Sequence, residues 1–186
     1  NQTLAKKWRY SLGARYEINQ LSNPEFSYSL NDTQYEIAAQ NALEAKPVFR
    51  SGINYEPFKG TYLRASIGQG YRYPTIAEKF TFTNAGGLTI IPNPELESET
   101  GWSSEIGLRQ EYGNDFVSMY LDVAYFYSQY NNMMEFTLSD QVFAGFQARN
   151  VGDTEIGGIE SSIGAQCDLG ILKIKGLVAH TYMDPK

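Results

Sequence analysis

An all-β chain is expected, an antiparallel up-and-down sheet of about seven long strands. Side chains alternate apolar and polar with period two in stretch after stretch, which is the signature of a strand with one greasy face. Several of these stretches run ten residues or more. Soluble strands average roughly 5–6 residues, whereas a tilted strand crossing a bilayer needs roughly 9–11. The connections also alternate in length, short then long, as in a barrel with one tight rim and one elaborated rim.

The first stretch is 8–18, where Trp8, Tyr10, Leu12, Ala14, Tyr16 and Ile18 oppose Arg9, Ser11, Gly13, Arg15 and Glu17. In 47–56, Phe49, Ile53 and Tyr55 oppose Arg50, Gly52, Asn54 and Glu56. In 61–72, Leu63, Ala65 and Ile67 oppose Arg64, Ser66, Gly68 and Arg72. In 102–110, Ile106 and Leu108 oppose Glu105, Gly107 and Arg109. The stretch 116–130 is the clearest: Val117, Met119, Leu121, Val123, Tyr125 and Tyr127 oppose a mixed set that includes Asp122. In 155–166, Ile159, Ile163 and Ala165 oppose Gly158, Glu160, Ser162 and Gln166. In 171–182, Leu172, Ile174 and Val178 oppose Lys173 and Lys175.

Short turns are placed at 57–60, 112–115 and 168–170, where Gly, Asn and Asp suit the positive-φ positions of hairpins. Long connections are expected at about 19–46, 73–100 and 132–145. Within the first, Gln34–Lys46 has helix-forming composition, with Asp32 as its N-cap, and predicts a short helix inside a loop.

Composition narrows the function. The net charge of −6 and a pI near 4.8 argue against nucleic-acid binding, which needs basic patches to replace phosphate counterions. One cysteine, Cys167, excludes an intrachain disulfide framework, and one histidine, His180, leaves little imidazole chemistry. No run of 18 apolar residues exists, so no helical membrane span is expected. No nucleophile–base order, phosphate loop or zinc-helix motif is present, and nothing singles out a carboxylate pair for glycoside chemistry. An enzyme is therefore not expected, and no cofactor or metal site is assigned.

Two surroundings satisfy the greasy face: a second sheet in a soluble sandwich, or lipid around a barrel. Long strands favour lipid. So do aromatics near strand ends, such as Trp8, Tyr16, Tyr71, Trp102 and Tyr127, which suit the headgroup level. Charges of both signs on the opposite face point the same way.

The motifs in 47–110 carry a resemblance. Arg50 precedes Asn54-Tyr55-Glu56-Pro57; then come Leu63–Ser66, Gly68 and Gly70-Tyr71-Arg72-Tyr73-Pro74-Thr75-Ile76 with Glu78. Asn93-Pro94-Glu95-Leu96 with Glu99 follows, leading into Trp102 and Glu105-Ile106-Gly107. In order and spacing this resembles the barrel of TonB-dependent outer-membrane receptors, and Asn150-Val151-Gly152 with Gly158-Ile159-Glu160 resembles the family's next strand. The resemblance implies a transmembrane β-barrel of roughly 22 strands around a plugged lumen. This chain would supply about seven of them, with the plug domain and the box that binds TonB outside it. The implied partners are outer-membrane lipid, the TonB complex through the plug, and a small-molecule nutrient: a siderophore, cobalamin or an oligosaccharide. The implied location is the outer membrane of a Gram-negative bacterium.

Two groups of site residues follow. In the loop 73–92 and at its base, Tyr71, Arg72, Tyr73, Phe80, Phe82 and Asn84 are expected to form an aromatic and polar ligand surface facing outside. The blander reading is a loop folded on its own hydrophobics. On the charged face, Arg50, Arg64, Glu105, Arg109, Asp122 and Glu160 are expected to meet one another or the plug rather than bulk solvent. Glu95, Glu97 and Glu99 offer oxygens for calcium, but their spacing is not that of a calcium loop, and a structural role for the segment is preferred. No histidine lies between Arg72 and Pro94, which argues against haem as cargo. The leading expectation is TonB-energised uptake of a scarce nutrient, foremost an iron–siderophore complex. The alternatives are a passive porin or adhesin-like barrel, and a soluble secreted glycan-binding β-sandwich.

Overall fold

A computed structural model describes residues 2–5, 7–139 and 145–186. In chain order the elements are β1 (Gln2–Ala5), β2 (Trp8–Asn23), β3 (Phe26–Leu30), β4 (Thr33–Ile37), β5 (Gln40–Phe58), β6 (Thr61–Arg72), α1 (Ile76–Phe80), β7 (Thr83–Ala85), β8 (Leu88–Ile91), β9 (Glu99–Gly113), β10 (Val117–Leu138), β11 (Gly145–Asp168) and β12 (Lys173–Pro185). The seven expected strands are β2, β5, β6, β9, β10, β11 and β12, each paired antiparallel with the next. They form one sheet, to which β1 adds at one side.

The registers align the alternation of every strand. One row across the sheet reads Tyr10, Ile53, Ala65, Ile106, Tyr125, Ile159 and Tyr182. The row on the opposite face, one residue away, reads Arg9, Asn54, Arg64, Gly107, Ala124, Glu160 and Thr181. A slip of one residue would exchange the faces, so the pattern itself fixes the pairing. The apolar row is bare: Ile106 is 63% exposed, Tyr125 50% and Ile159 48%. Among the described residues no second layer covers it, which a sandwich would require.

On β10 the apolar side runs from Val117 to Tyr127. Ten steps of about 3.4 Å at the usual tilt span roughly 26 Å, the height of a membrane barrel's apolar band. Beyond Tyr127 the strand continues to Leu138, so the sheet rises roughly 30 Å past the band.

The turns follow their side chains. Asn114 Oδ1 accepts from the N–H groups of Phe116 and Val117 at 2.9 and 2.8 Å, closing β9 onto β10. Asp168 Oδ1 accepts from Gly170 N–H at 3.0 Å, which starts the turn into β12. All three long connections leave from the other end of the sheet, and the second of them is the most elaborate.

Two expectations fail. Gln34–Lys46 is not a helix: Asn31 and Asp32 take φ of 48° and 61° to close the β3–β4 hairpin, and β5 begins at Gln40. Pairing with β2 along the whole of 40–55 outweighs the local helix preference of Ala, Leu, Glu and Gln. The connection 132–145 is also mostly strand, because β10 runs to Leu138 and β11 starts at Gly145. Residues 140–144 within it lie outside the described residues.

Among the described residues, a conventional core cluster forms beyond the band. Tyr28, Leu30 and Ile91 are buried together, with Phe26, Ile37 and Phe82 packed on them. This cluster joins the β3–β4 hairpin to the connection between β6 and β9.

Candidate functional site

Two regions gather the residues singled out above: the polar face of the sheet and the loop cap.

On the polar face, Arg64 is the hub. Its Nε donates to Glu105 Oε1 at 2.6 Å; Nη1 and Nη2 donate to Asp122 Oδ2 and Oδ1 at 3.1 and 2.8 Å. Arg109 Nη1 stands 4.0 Å from Asp122, its Nε donates to Glu111 at 2.8 Å, and its guanidinium lies 4.2 Å from the centre of the Tyr120 ring. Four of the six predicted residues of this face thus form one charge-balanced network across β6, β9 and β10. A bidentate fork of this kind fixes geometry as well as energy. Arg64 lies flat because its neighbour is Gly107: a Cβ there would sit 2.6 Å from Arg64 Cζ. Arg50 lies over Gly13 in the same way, with a would-be Cβ 2.7 Å from its Nε. Arg50 and Glu160 stand apart from the network, and no ion pair is recorded for either among the described residues. The buried Asn54 Oδ1 lacks a hydrogen bond, in the row that also holds Arg9 and Arg64.

In the cap, the Arg72–Glu78 stretch folds on itself. Glu78 N–H donates to Thr75 Oγ1 at 3.2 Å, and Glu78 Oε2 accepts from Thr75 N–H at 2.8 Å, which caps α1 reciprocally. Arg72 pairs with Glu78 and reaches Glu99 at 3.6 Å. Burial works to raise the Glu78 carboxyl, but the Thr75 bonds and Arg72 outweigh it and hold it below the ordinary value. The Asn93–Glu99 stretch is a tie to β10 and β11. Asn93 Nδ2 donates to Ala148 O at 2.8 Å, and Asn150 takes Glu97 N–H at 2.9 Å and returns Nδ2 to Glu97 O at 3.0 Å. Asn132 Nδ2 donates to Glu97 at 3.3 Å, and Met134 N–H donates to Glu99 at 3.3 Å. Glu97 and Glu99 thus act as hydrogen-bond acceptors for β10.

Glu44 organises the rest. Tyr71 OH donates to its carboxylate at 2.5 Å, and Ser98 Oγ donates to the same oxygen at 2.7 Å. Tyr73 OH donates to the backbone carbonyls of Glu17 and Glu44 at 3.2 and 3.3 Å. Burial pushes Glu44 up, yet Tyr71, Ser98 and the charges of Lys79 and Lys46 hold it lowered. Burial, then the bond to Glu44, drives the Tyr71 phenol up to about 12, so it remains a donor across the physiological range. Phe80, 7% exposed, meets Phe26 edge-on at 6.5 Å, and Phe82 stacks on Tyr28 at 4.5 Å. Of the six residues expected in the ligand surface, two are exposed: Asn84, on the β7–β8 hairpin, and Arg72, which is 45% exposed but held by its ion pairs. That hairpin crosses to β11, where Thr89–Ile91 pairs in parallel with Gly145–Gln147 and Gln147 Nε2 donates to Pro92 O at 2.8 Å.

Glu44, Ser98 and Tyr28 were not singled out from sequence, and Asn150 was noted only as part of a strand motif. The one signal was for Glu44: the alternation Leu43, Ala45, Phe49 against Glu44, Lys46, Val48 continues the β5 pattern below residue 47.

A family model described as "TonB dependent receptor-like, beta-barrel" matches residues 1–185. Among solved structures, the hemophore receptor HasR of Serratia marcescens, in complex with its hemophore HasA and heme, is similar at a TM-score of 0.76. It is 18% identical, over 95% of this chain and 32% of that one. The copper transporter OprC gives 0.63 at 17% identity, over 97% of this chain and 28% of that one. The FrpB iron transporter from Neisseria meningitidis gives 0.59 at 17% identity, over 98% and 24%. The chain therefore spans a third or less of these relatives. No curated protein matches it.

Proposed function

We propose, on the premise that this chain belongs to the TonB-dependent receptor β-barrel family, that it forms wall and outer loops of an outer-membrane importer for a scarce nutrient. The family's members are transporters in the outer membrane of Gram-negative bacteria. One observation carries the reading: seven strands present a predominantly apolar surface on one side and an ion-paired polar surface on the other. Lipid takes the first and a hydrated lumen the second. The whole receptor is three to four times longer than this chain by comparison with its relatives, and the energy enters through a plug domain that contacts TonB.

The cargo we propose is an iron–siderophore complex. HasR is described with heme, OprC as a copper transporter and FrpB as an iron transporter, so metal-bearing cargo is the common thread. Asn84 offers the direct polar contact. Arg72 forms the ligand surface with it, and Tyr71, Tyr73, Phe80 and Phe82 support that surface from beneath, held in place by Glu44 and Phe26. Toward the lumen, Arg64, Glu105, Arg109 and Asp122 keep the wall electrically balanced. Arg50 and Glu160 meet the plug.

The test is growth of a strain lacking the receptor on a panel of iron–siderophore complexes as sole iron source, restored by the full-length gene. Asn84→Ala should raise the concentration needed for half-maximal growth without lowering receptor abundance. Equal growth of both strains on every complex would discard iron in favour of cobalamin or glycans.

A further inference from the structure

Among the described residues, Lys79 is the one charged side chain that is buried, at 9% exposure. Lysine is almost never buried without a partner, because an ammonium that gives up its hydration needs an anion in return. Among the described residues no ion pair or side-chain hydrogen bond is recorded for Lys79. It lies on the inner side of α1 with Phe80, while Thr75, Ile76 and Ala77 face solvent. The ammonium therefore lies beneath the cap.

There it acts on Glu44. Glu44 stands on the polar side of β5, in the alternation that includes Arg50 and Asn54. Lys46, the next residue on that side, acts on the same carboxylate, and both do so from beyond ion-pair distance. Arg72, Glu78 and Glu99 are committed to one another. Two cations thus share one carboxylate, which leaves a positive charge in excess for an arriving anion.

The bonds that Glu44 makes give this charge a consequence. Its Oε2 accepts from Tyr71 OH at 2.5 Å and from Ser98 Oγ at 2.7 Å. Tyr71 stands where β6 enters the connection and Ser98 where the connection returns to β9, so one carboxylate clasps both stems of the cap. Tyr73 OH, donating to the Glu44 carbonyl at 3.3 Å, reinforces the entering stem. The charge of Lys79 favours the ionised carboxylate that holds this clasp. An anion seated on Lys79 cancels that attraction and repels Glu44.

We propose that Lys79 is an anion-receiving site beneath the cap, which takes a charged carboxylate or catecholate oxygen of the cargo and thereby loosens the Glu44 clasp on both stems. An uncharged complex leaves the clasp fastened. By reciprocity, weakening the clasp strengthens the hold on the anion by the same factor. The proposal rests on the importer reading above, which the growth assay tests separately.

The experiment uses the full-length receptor in dodecyl maltoside. Two probes are negatively charged, iron(III) citrate and an iron(III) tris-catecholate; one is neutral, an iron(III) tris-hydroxamate. Quenching of tryptophan fluorescence follows binding, and hydrogen exchange follows residues 73–98. Lys79→Met should weaken the charged probes about tenfold, as for one lost charge-assisted bond, and leave the neutral one within about twofold. Glu44→Gln keeps an amide oxygen for Tyr71 and Ser98 but removes the competing charge, so it should tighten the charged probes about threefold. A charged probe should also speed exchange in 73–98 of the wild type, and the neutral probe should not. A lysine that merely supports the cap would make both substitutions weaken every probe alike; that result, or exchange unaltered by a bound charged probe, would overturn the site. A wild-type receptor that binds neither charged probe yet restores growth on a neutral complex overturns the site and leaves the importer standing. Charged probes that bind as described without any growth difference leave the site and remove the iron reading.

Discussion

Replacing Gly107 with alanine should destabilise the wall through a residue on another strand. The added methyl would lie 2.6 Å from Arg64 Cζ and 2.9 Å from Nε and Nη2, so the guanidinium must move. It cannot move without giving up bonds of 2.6, 2.8 and 3.1 Å to Glu105 and Asp122. Arg64 is about a third exposed, so the network is worth less than a buried one, about 1–3 kcal/mol in all. Gly107→Ala should cost most of that. In an Arg64→Met background the same substitution meets no fixed group, and alanine is the better strand residue by about 0.5–1 kcal/mol. The two changes should therefore couple by about 1–2 kcal/mol, inside the range seen for residues in contact. Guanidinium unfolding of the four full-length proteins in phospholipid vesicles, followed by tryptophan fluorescence, measures this. Costs that add to within about 0.5 kcal/mol would refute the claim that Gly107 exists to seat Arg64.

Further outcomes are expected. Ile106→Arg, in the middle of the apolar band, should cost about 2–4 kcal/mol in bilayers, while Ser103→Arg on the polar face should cost under about 1; parallel unfolding curves compare them. Phe80→Ala should remove a buried ring from the cap and weaken it by about 2–4 kcal/mol, seen as faster hydrogen exchange in 26–37 with the strands unchanged. Both Glu44 and Glu78 are lowered in the folded cap. Their contribution is present above the ordinary carboxylate value of about 4.3 and is lost as pH falls through the lower folded values. Proteolysis within 73–98 should be flat from neutral pH to about pH 5 and rise below about pH 4; a rise near neutral pH would contradict the assignment.

The strands were legible wherever the two sides meet different surroundings. Residues 61–72 were placed to both ends because Leu63, Ala65 and Ile67 sit in one medium and Arg64, Ser66 and Gly68 in another. The signal changes phase above the band. Met134, Phe136 and Leu138 still alternate with Glu135 and Thr137, but on the other parity, because the register shifts between Tyr130 and Met134; with Asn131 and Asn132 ahead of the shift, β10 seemed to stop about eight residues early. Gln34–Lys46 misled for another reason: its residues favour a helix in isolation, and only the partner strand overrules them. In the cap, the chain order of motifs was visible, but the contact of Glu44 with Tyr71, 27 residues apart, leaves no local trace.

Because β8 lies beside β11 rather than standing free, the segment between β6 and β9 works as a tie-beam over two intervening strands. Its fit depends on the hairpin at 26–37 and on Gln147 together. Recognition cannot be transplanted by exchanging that segment alone between receptors. The three pieces would have to travel as a set, and a chimera carrying only one of them should assemble poorly even with every spanning residue left as it was.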